Sequence, residues 1–301
     1  MSGAVPEAAP VAVVGLGQLG GSLAAALAAA GRPVTGWDVD PAARRAAAGR
    51  GVAISPELGG VVVLAVPLPA MATALDGLTV APDATVTDLG SVKIPVRDSV
   101  GAAYGGRFVG GHPMCGTERS GHEATDPALF TGARWALCLD PGTELPRWLR
   151  VTELALAVGA EVVPVTSEEH DAAVAAISHV PHLLAAALAA AAADAGPLAL
   201  ALAAGSFRDG TRVAGSDPAF VTAMVQGNAG PTAAALDRVR AQLQRPWPEL
   251  VAAGHRTRTA TTGRRPVRVP LERSALLAVG RAGGAVTGRR AAFLEGWVPE
   301  A

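Results

Sequence analysis

Five short segments of this 301-residue chain carry residue types that packing alone does not require. Gly15-Leu16-Gly17-Gln18-Leu19-Gly20 is a G-x-G-x-x-G between an apolar run and an Ala-rich stretch, with an acid, Asp38, at the end of the next β-like run. In that setting the first glycine makes a tight turn, the second lets a pyrophosphate approach the backbone, and the third lets helix and strand pack closely. The helix N-terminus favours the anion. Asp38 is placed to accept hydrogen bonds from ribose hydroxyls and to repel a 2′-phosphate, so NAD is expected over NADP. Arg44 and Arg45 lie close enough to temper that preference. Val66 and Pro67, after a fully apolar run, should line the same cleft.

The other four segments carry polar chemistry. Thr87–Lys93 holds Asp88 and Ser91 at the carboxyl end of a strand, where such sheets bind ligands, although both residues also suit a helix cap. Lys93 is the only lysine of the chain. Gly110–Glu118 holds His112 between glycine and proline, which excludes a mid-helix position and predicts a rigid loop suited to general acid–base work. In Ser178-His179-Val180-Pro181-His182 the two histidines are three apart and share a helical face. No HExxH or nearby carboxylate accompanies them, so no metal is expected. Gly205–Arg212, followed by Ser216-Asp217-Pro218, is a polar segment whose arginines could grip a carboxylate bidentately or simply face solvent.

Residues 11–165 alternate short β-branched runs with Ala-rich helical stretches. This predicts an α/β, Rossmann-type dinucleotide-binding domain with a parallel sheet over residues 1–165. Strands are expected at Val11–Val14, Val34–Trp37, Val61–Ala65, Thr85–Thr87, Phe108–Val109, Trp135–Leu139 and Glu161–Val165. From Thr166-Ser167-Glu168-Glu169, a capping-box pattern, only helical patterns follow, giving an all-helical substrate and dimerisation domain over 166–255. Pro181 should kink its first helix. Long Ala/Leu-rich helices with little polar surface predict a homodimer.

Residues 256–301 are weakly patterned and stay unassigned. They carry nine Arg and three Glu, a balance of +6 against −7 for the rest. Such a run is either solvated or folded back on the acidic body, and a nucleic-acid partner is a weaker alternative that lacks a binding motif. The longest uninterrupted apolar run, Leu183–Ala193, has eleven residues and predicts no membrane span. Met1–Pro10 does not read as a signal peptide, and Cys115 and Cys138 form no metal pattern, so a cytoplasmic protein is expected.

GLGQLGGSL, TDLGSVK, GGHPMCGTERSG, SHVPHLLAAAL and SFRDGTRVAGSDP, in this order and spacing, resemble the prephenate/arogenate dehydrogenase (TyrA) family over about Val11 to Asn228. The resemblance implies NAD-dependent oxidative decarboxylation of a cyclohexadienol in tyrosine biosynthesis. Hydride leaves C4, the ring carboxylate leaves as CO2, and the ring becomes aromatic. It implies that His112 accepts the hydrogen bond of the 4-hydroxyl, with Ser91 bonded to both. It implies that Arg212 binds a substrate carboxylate, that His179 and His182 line the pocket with Ser178 and Thr117 in the matching motifs, that Glu118 and Asp209 sit at its mouth, and that Gly205 leaves room. Asp88 is grouped with the cofactor residues Gly15 to Gly20, Asp38, Val66 and Pro67. Lys93 has no firm role: pairing with Asp88 and an approach to the cofactor both stay open. The chain departs from many relatives in having Phe220 then Val221 after Ser-Asp-Pro, and its last residues do not suggest an ACT domain.

Other functions remain in view. A 4-amino-4-deoxyprephenate dehydrogenase would set His112 against an amine. β-Hydroxyacid dehydrogenases and imine reductases share the plan but generally use a lysine from the second domain, and no lysine follows residue 93. A non-catalytic NAD-binding protein would not need the polar set.

Overall fold

In a computed structural model, the structure describes residues 9–116 and 121–300. The chain divides into two compact units, one holding the described residues up to 167 together with 263–300, the other residues 168–262.

Strands of the first unit in chain order are β1 (Val11–Val14), β2 (Val34–Trp37), β3 (Ala53–Ile54), β4 (Glu57–Leu58), β5 (Val61–Leu64), β6 (Thr79–Val80), β7 (Thr85–Asp88), β8 (Phe108–Val109), β9 (Gly111–Pro113), β10 (Arg134–Cys138), β11 (Glu161–Val165), β12 (Arg264–Pro270), β13 (Ala285–Arg289) and β14 (Phe293–Pro299). One sheet has the order β3-β2-β1-β5-β7-β8, with every pairing parallel. Every residue of β1 and β5 is buried, as expected of central parallel strands covered on both faces. This is the expected Rossmann-type sheet, and β4 and β6 form a small separate pair.

A second sheet, β12-β14-β13-β11-β10-β9, is mixed, with only β10 and β11 parallel. The chain leaves the first sheet at β8 and enters the second at β9, with Gly110 between. His112 therefore lies in a strand and not in the predicted loop, paired opposite Ala136. A short Gly-His-Pro run reads as a loop by composition, but the long-range partner β10 makes it an edge strand.

The unassigned tail completes this second sheet. β12 pairs with β14 along its whole length, and helix Arg273–Arg281 packs beside them. Leu276, Val286 and Leu294 are fully buried in one core with Trp148, Val151, Leu154 and Val162. The arginines meet the acidic body. Arg264 pairs with Glu161 at 2.9 Å, and Arg289 pairs with Glu153. Arg134 and Arg264 both stack on Trp297 at 4.4 Å. Pro266 and Pro270 are tolerated because β12 is an edge strand. Arg273 clamps the junction, donating to the carbonyls of Leu139 (2.9 Å), Thr143 (2.7 Å) and Asp140.

The second unit is helical, with helices including Pro197–Ala201, Gly205–Thr211, Pro218–Gly227, Ala229–Leu243 and Trp247–Thr259. Its first helix is continuous over Ser167–Asp194 and contains a wide π-turn at Ala175–His179, just before Pro181. This turn interrupts the regular α-helical hydrogen bonding just ahead of Pro181, one of the ways a helix accommodates a residue that lacks an N–H and crowds the carbonyl four residues back. By length and composition this 28-residue helix could cross a bilayer, a test that core helices also pass. At its N-terminus the amide and hydroxyl of Ser167 both donate to the Asp140 carboxylate, at 2.8 and 2.6 Å. The Gly205 segment, expected between helices, is itself helical, and Arg212 opens a 3-10 turn, Arg212–Gly215.

The clamp on the tail gives a first prediction. Arg273→Ala should destabilise the protein by about 1–3 kcal/mol, because three partly buried carbonyls lose a charged donor. Urea unfolding measures this, and an unchanged midpoint would show that the extension is held without the clamp.

Candidate active site

The glycine fingerprint has three separate steric causes. Gly15 has φ +92°, and a Cβ there would meet the Ala65 carbonyl oxygen at 2.5 Å. A Cβ on Gly20 would meet the Gly15 carbonyl oxygen at 1.9 Å, so helix and turn touch at that point. At Gly17 a Cβ would meet nothing within 4 Å. The turn is thus packed at its first and third glycines and open at its second. Helix Gln18–Ala29 starts here without a side-chain cap. The Leu16 side chain is buried in the core, leaving its backbone to the turn, and Val66 packs against Gly15.

Asp38 follows β2. It accepts the Leu16 amide at 2.6 Å and the Asp40 amide at 2.8 Å, which fixes its carboxylate beside the turn. Arg44 lies over the Trp37 ring at 4.9 Å and donates to the Asp38 and Val39 carbonyls. Its guanidinium is thus engaged with the chain itself, which removes part of the reservation about NADP.

Asp88 ends β7, fully buried. One carboxylate oxygen accepts the Gly111 amide at 3.1 Å; the other accepts the Gly90 amide at 2.9 Å and pairs with Lys93. This corrects its expected place among cofactor ligands, since the carboxylate is turned inward and occupied. Lys93 is also buried and donates to the Gly111 carbonyl at 2.6 Å. The group thus gathers Asp88, Lys93 and the half-buried His112, with Ser91 in the intervening turn. Of the two options open for Lys93 in the sequence, the structure shows the pairing with Asp88; the Gly111 carbonyl, 18 residues away, gave no local signal. Thr117 and Glu118 fall outside the described residues.

In the helical unit, His179 is buried in the π-turn. Its Nδ1 faces Asn228 Nδ2 at 3.1 Å and Thr232 Oγ1 at 3.3 Å, and Asn228 also donates to the Asp171 carbonyl at 2.7 Å. Burial lowers the imidazole pKa to about 4, beyond what the opposing Asp171 charge restores, so the ring is neutral. With a donor facing Nδ1, the proton belongs on Nε2, a buried atom without a hydrogen-bond partner among the described residues. His182 donates through Nδ1 to the Ser178 carbonyl at 2.8 Å, which leaves Nε2 as its acceptor. The segment with Gly205, Asp209 and Arg212 packs along the same helix, and a Cβ on Gly210 would meet Leu188 at 3.2 Å. Asn228, Thr232 and the buried His170–Asp171 pair (2.8 Å) were missed by sequence inspection. The adjacency of His170 and Asp171 was visible; the long-range partners gave no spacing signal.

A parallel sheet bearing this glycine turn, followed by a helical unit with its own polar cluster, defines a Rossmann-type dinucleotide-binding architecture with a helical second unit. Residues 23–164 match the family described as prephenate dehydrogenase, nucleotide-binding domain, and residues 166–256 match prephenate dehydrogenase, dimerization domain. The chain belongs to the prephenate dehydrogenase family. It is 33% identical over 228 residues to a prephenate dehydrogenase of Bacillus subtilis, covering 70% of this chain and 62% of that protein, so it spans less than two thirds of this curated relative. A Corynebacterium glutamicum structure, provisionally named a prephenate dehydrogenase, is 39% identical with TM-score 0.76, covering 83% of this chain and 88% of that one. The Aquifex aeolicus prephenate dehydrogenase, solved with hydroxyphenyl propionate and NAD+, is 29% identical with TM-score 0.73, covering 83% and 93%.

His179 sets a pH dependence. Below pH about 6.5 the unfolded chain binds a proton that the folded imidazole refuses until about pH 4, so stability falls as pH drops through that window. His179→Gln should lose less stability than the parent between pH 7 and pH 5 in denaturant titrations. Equal losses would mean that the buried ring charges freely.

Proposed function

We propose that the chain is an NAD-dependent dehydrogenase that oxidatively decarboxylates prephenate or arogenate. The observation that carries this reading is the placement of the open glycine turn and of His112 in one unit, each directly after a strand of the Rossmann-type sheet, β1 or β8. Family membership supports the substrate class. NAD bound at the Gly15–Gly20 turn would supply the hydride acceptor.

The chain's own residues would do the rest. The backbone of the turn and the start of helix Gln18–Ala29 take the pyrophosphate, and Asp38 takes the ribose. His112, as neutral imidazole, accepts the hydrogen bond of the substrate 4-hydroxyl, assisted by Ser91. This raises electron density at C4 as the hydride departs. Loss of the carboxylate completes the aromatic ring, so the protein needs chiefly to orient the substrate. Arg212 holds a substrate carboxylate with a fork of charge-assisted hydrogen bonds. The unpartnered His179 Nε2 supports a neutral donor role in the pocket, because an unsatisfied buried donor costs about 1–3 kcal/mol that a ligand acceptor would recover. In this reading His182, Ser178, Gly205 and Asp209 are substrate-binding residues of the helical unit, and Thr117 and Glu118 are substrate-binding residues of the His112 segment. The protein works on a small molecule in the cytoplasm as a homodimer through the helical unit. The exposed Leu184, Leu188, Leu198, Leu202 and Phe220 are the kind of surface such a dimer covers.

Incubation with NAD+ and either prephenate or arogenate should produce NADH, and no turnover with either substrate would overturn the reading. His112→Asn should lower kcat by about 10²-fold or more with NAD+ binding retained. Arg212→Ala should act mainly by raising KM; an unchanged KM would mean that another group holds the carboxylate.

A further inference from the structure

The chain uses arginine at 24 positions and lysine at one. That one lysine is 1% exposed, and its partners are side-chain and backbone groups next to His112. The peptide plane before His112 contains the Gly111 carbonyl, which accepts from Lys93 Nζ at 2.6 Å. The plane before that contains the Gly111 amide, which donates to Asp88 Oδ1 at 3.1 Å. The Asp88–Lys93 pair therefore grips both ends of Gly111 and fixes the peptide plane that leads into His112. The Gly110 carbonyl is pinned by the Cys138 amide at 2.8 Å. A Cβ on Gly111 would meet the Asp88 carbonyl oxygen at 2.6 Å, so the backbone sits directly on its support.

We propose that Lys93 is a positioning residue that sets the imidazole of His112 for reaction, by holding the Gly111–His112 peptide plane against Asp88. This rests on the reading that His112 takes part in catalysis. The Lys93 ammonium is a compact point charge that reaches one Asp88 carboxylate oxygen and the Gly111 carbonyl, a geometry that the planar fork of an arginine does not reproduce.

The test measures kcat, KM, NAD+ affinity and Tm for the full chain and for Lys93→Met, Lys93→Arg and the double variant Asp88→Asn/Lys93→Met. Misplacing a reacting group by about an ångström can cost about 10²-fold, so kcat should fall by about that factor in all three, while NAD+ affinity changes by less than about threefold. The double variant removes both buried charges and should regain Tm relative to Lys93→Met without regaining kcat. A purely structural pair would return both together. Wild-type kcat in Lys93→Arg or in the double variant would overturn the proposal. A collapse of kcat in His112→Asn beside an intact Lys93→Arg sinks the positioning role alone, whereas an active His112→Asn sinks the catalytic reading itself. Should the variants not fold, the parent protein still decides. Labelled with 15N-lysine, it gives a single side-chain signal, which should shift as His112 titrates and stay fixed in His112→Asn. A signal unmoved in the parent would overturn the proposal.

Discussion

The first unit turns on one buried ion pair. Removing a carboxylate and an ammonium from water costs several kcal/mol each, and their attraction offsets that only with good geometry and further hydrogen bonds. Asp88 and Lys93 have both. The carboxylate collects two backbone amides and the ammonium, and the ammonium collects a backbone carbonyl as well. These backbone partners lie where the chain passes from the parallel sheet to the mixed one. The pair ties the end of β7 to the start of β9, so the continuity of the two sheets and the setting of His112 share one cause. Loss of either partner would leave the other charged and stranded.

Around this pair, backbone packs on backbone with no side chain between. Gly111 sits on Asp88, Gly15 on Ala65 and Gly20 on Gly15, at distances that leave no room for a methyl group. Gly17 alone in the fingerprint faces open space. Within six positions the same residue type meets opposite surroundings, close backbone at two and open space at one. Local steric demand thus selects where a cofactor can approach, and the helix beginning at Gln18 supplies the field that favours its phosphates.

The central parallel strands were legible because burial on both faces makes continuous apolar runs, as at Val61–Leu64. The fingerprint was legible because its meaning depends on the neighbouring strand and helix. The tail was not. In Arg264–Pro270, valines face inward between arginines and prolines, so an edge strand reads as a charged linker until β14 is found some thirty residues on. The strand character of His112 was hidden for the same reason, since it comes from pairing with β10. Asp88 differs: it has the composition of a helix-end or ligand residue, but its carboxylate accepts from the distant Gly111 amide. What sequence could not supply in each instance was a non-local partner.

Burial has opposite consequences for charge in the two units. Lys93 stays an ion pair because a carboxylate meets it inside the protein. His179 is buried against an amide and a hydroxyl, and the electrostatic help from Asp171 is outweighed by desolvation, so it stays neutral until about pH 4. Asn228 occupies Nδ1 and fixes the tautomer, leaving Nε2–H as an uncharged donor through the physiological range. A group of that kind can orient a ligand oxygen, but it adds no charge to attract a carboxylate and no titration near neutrality.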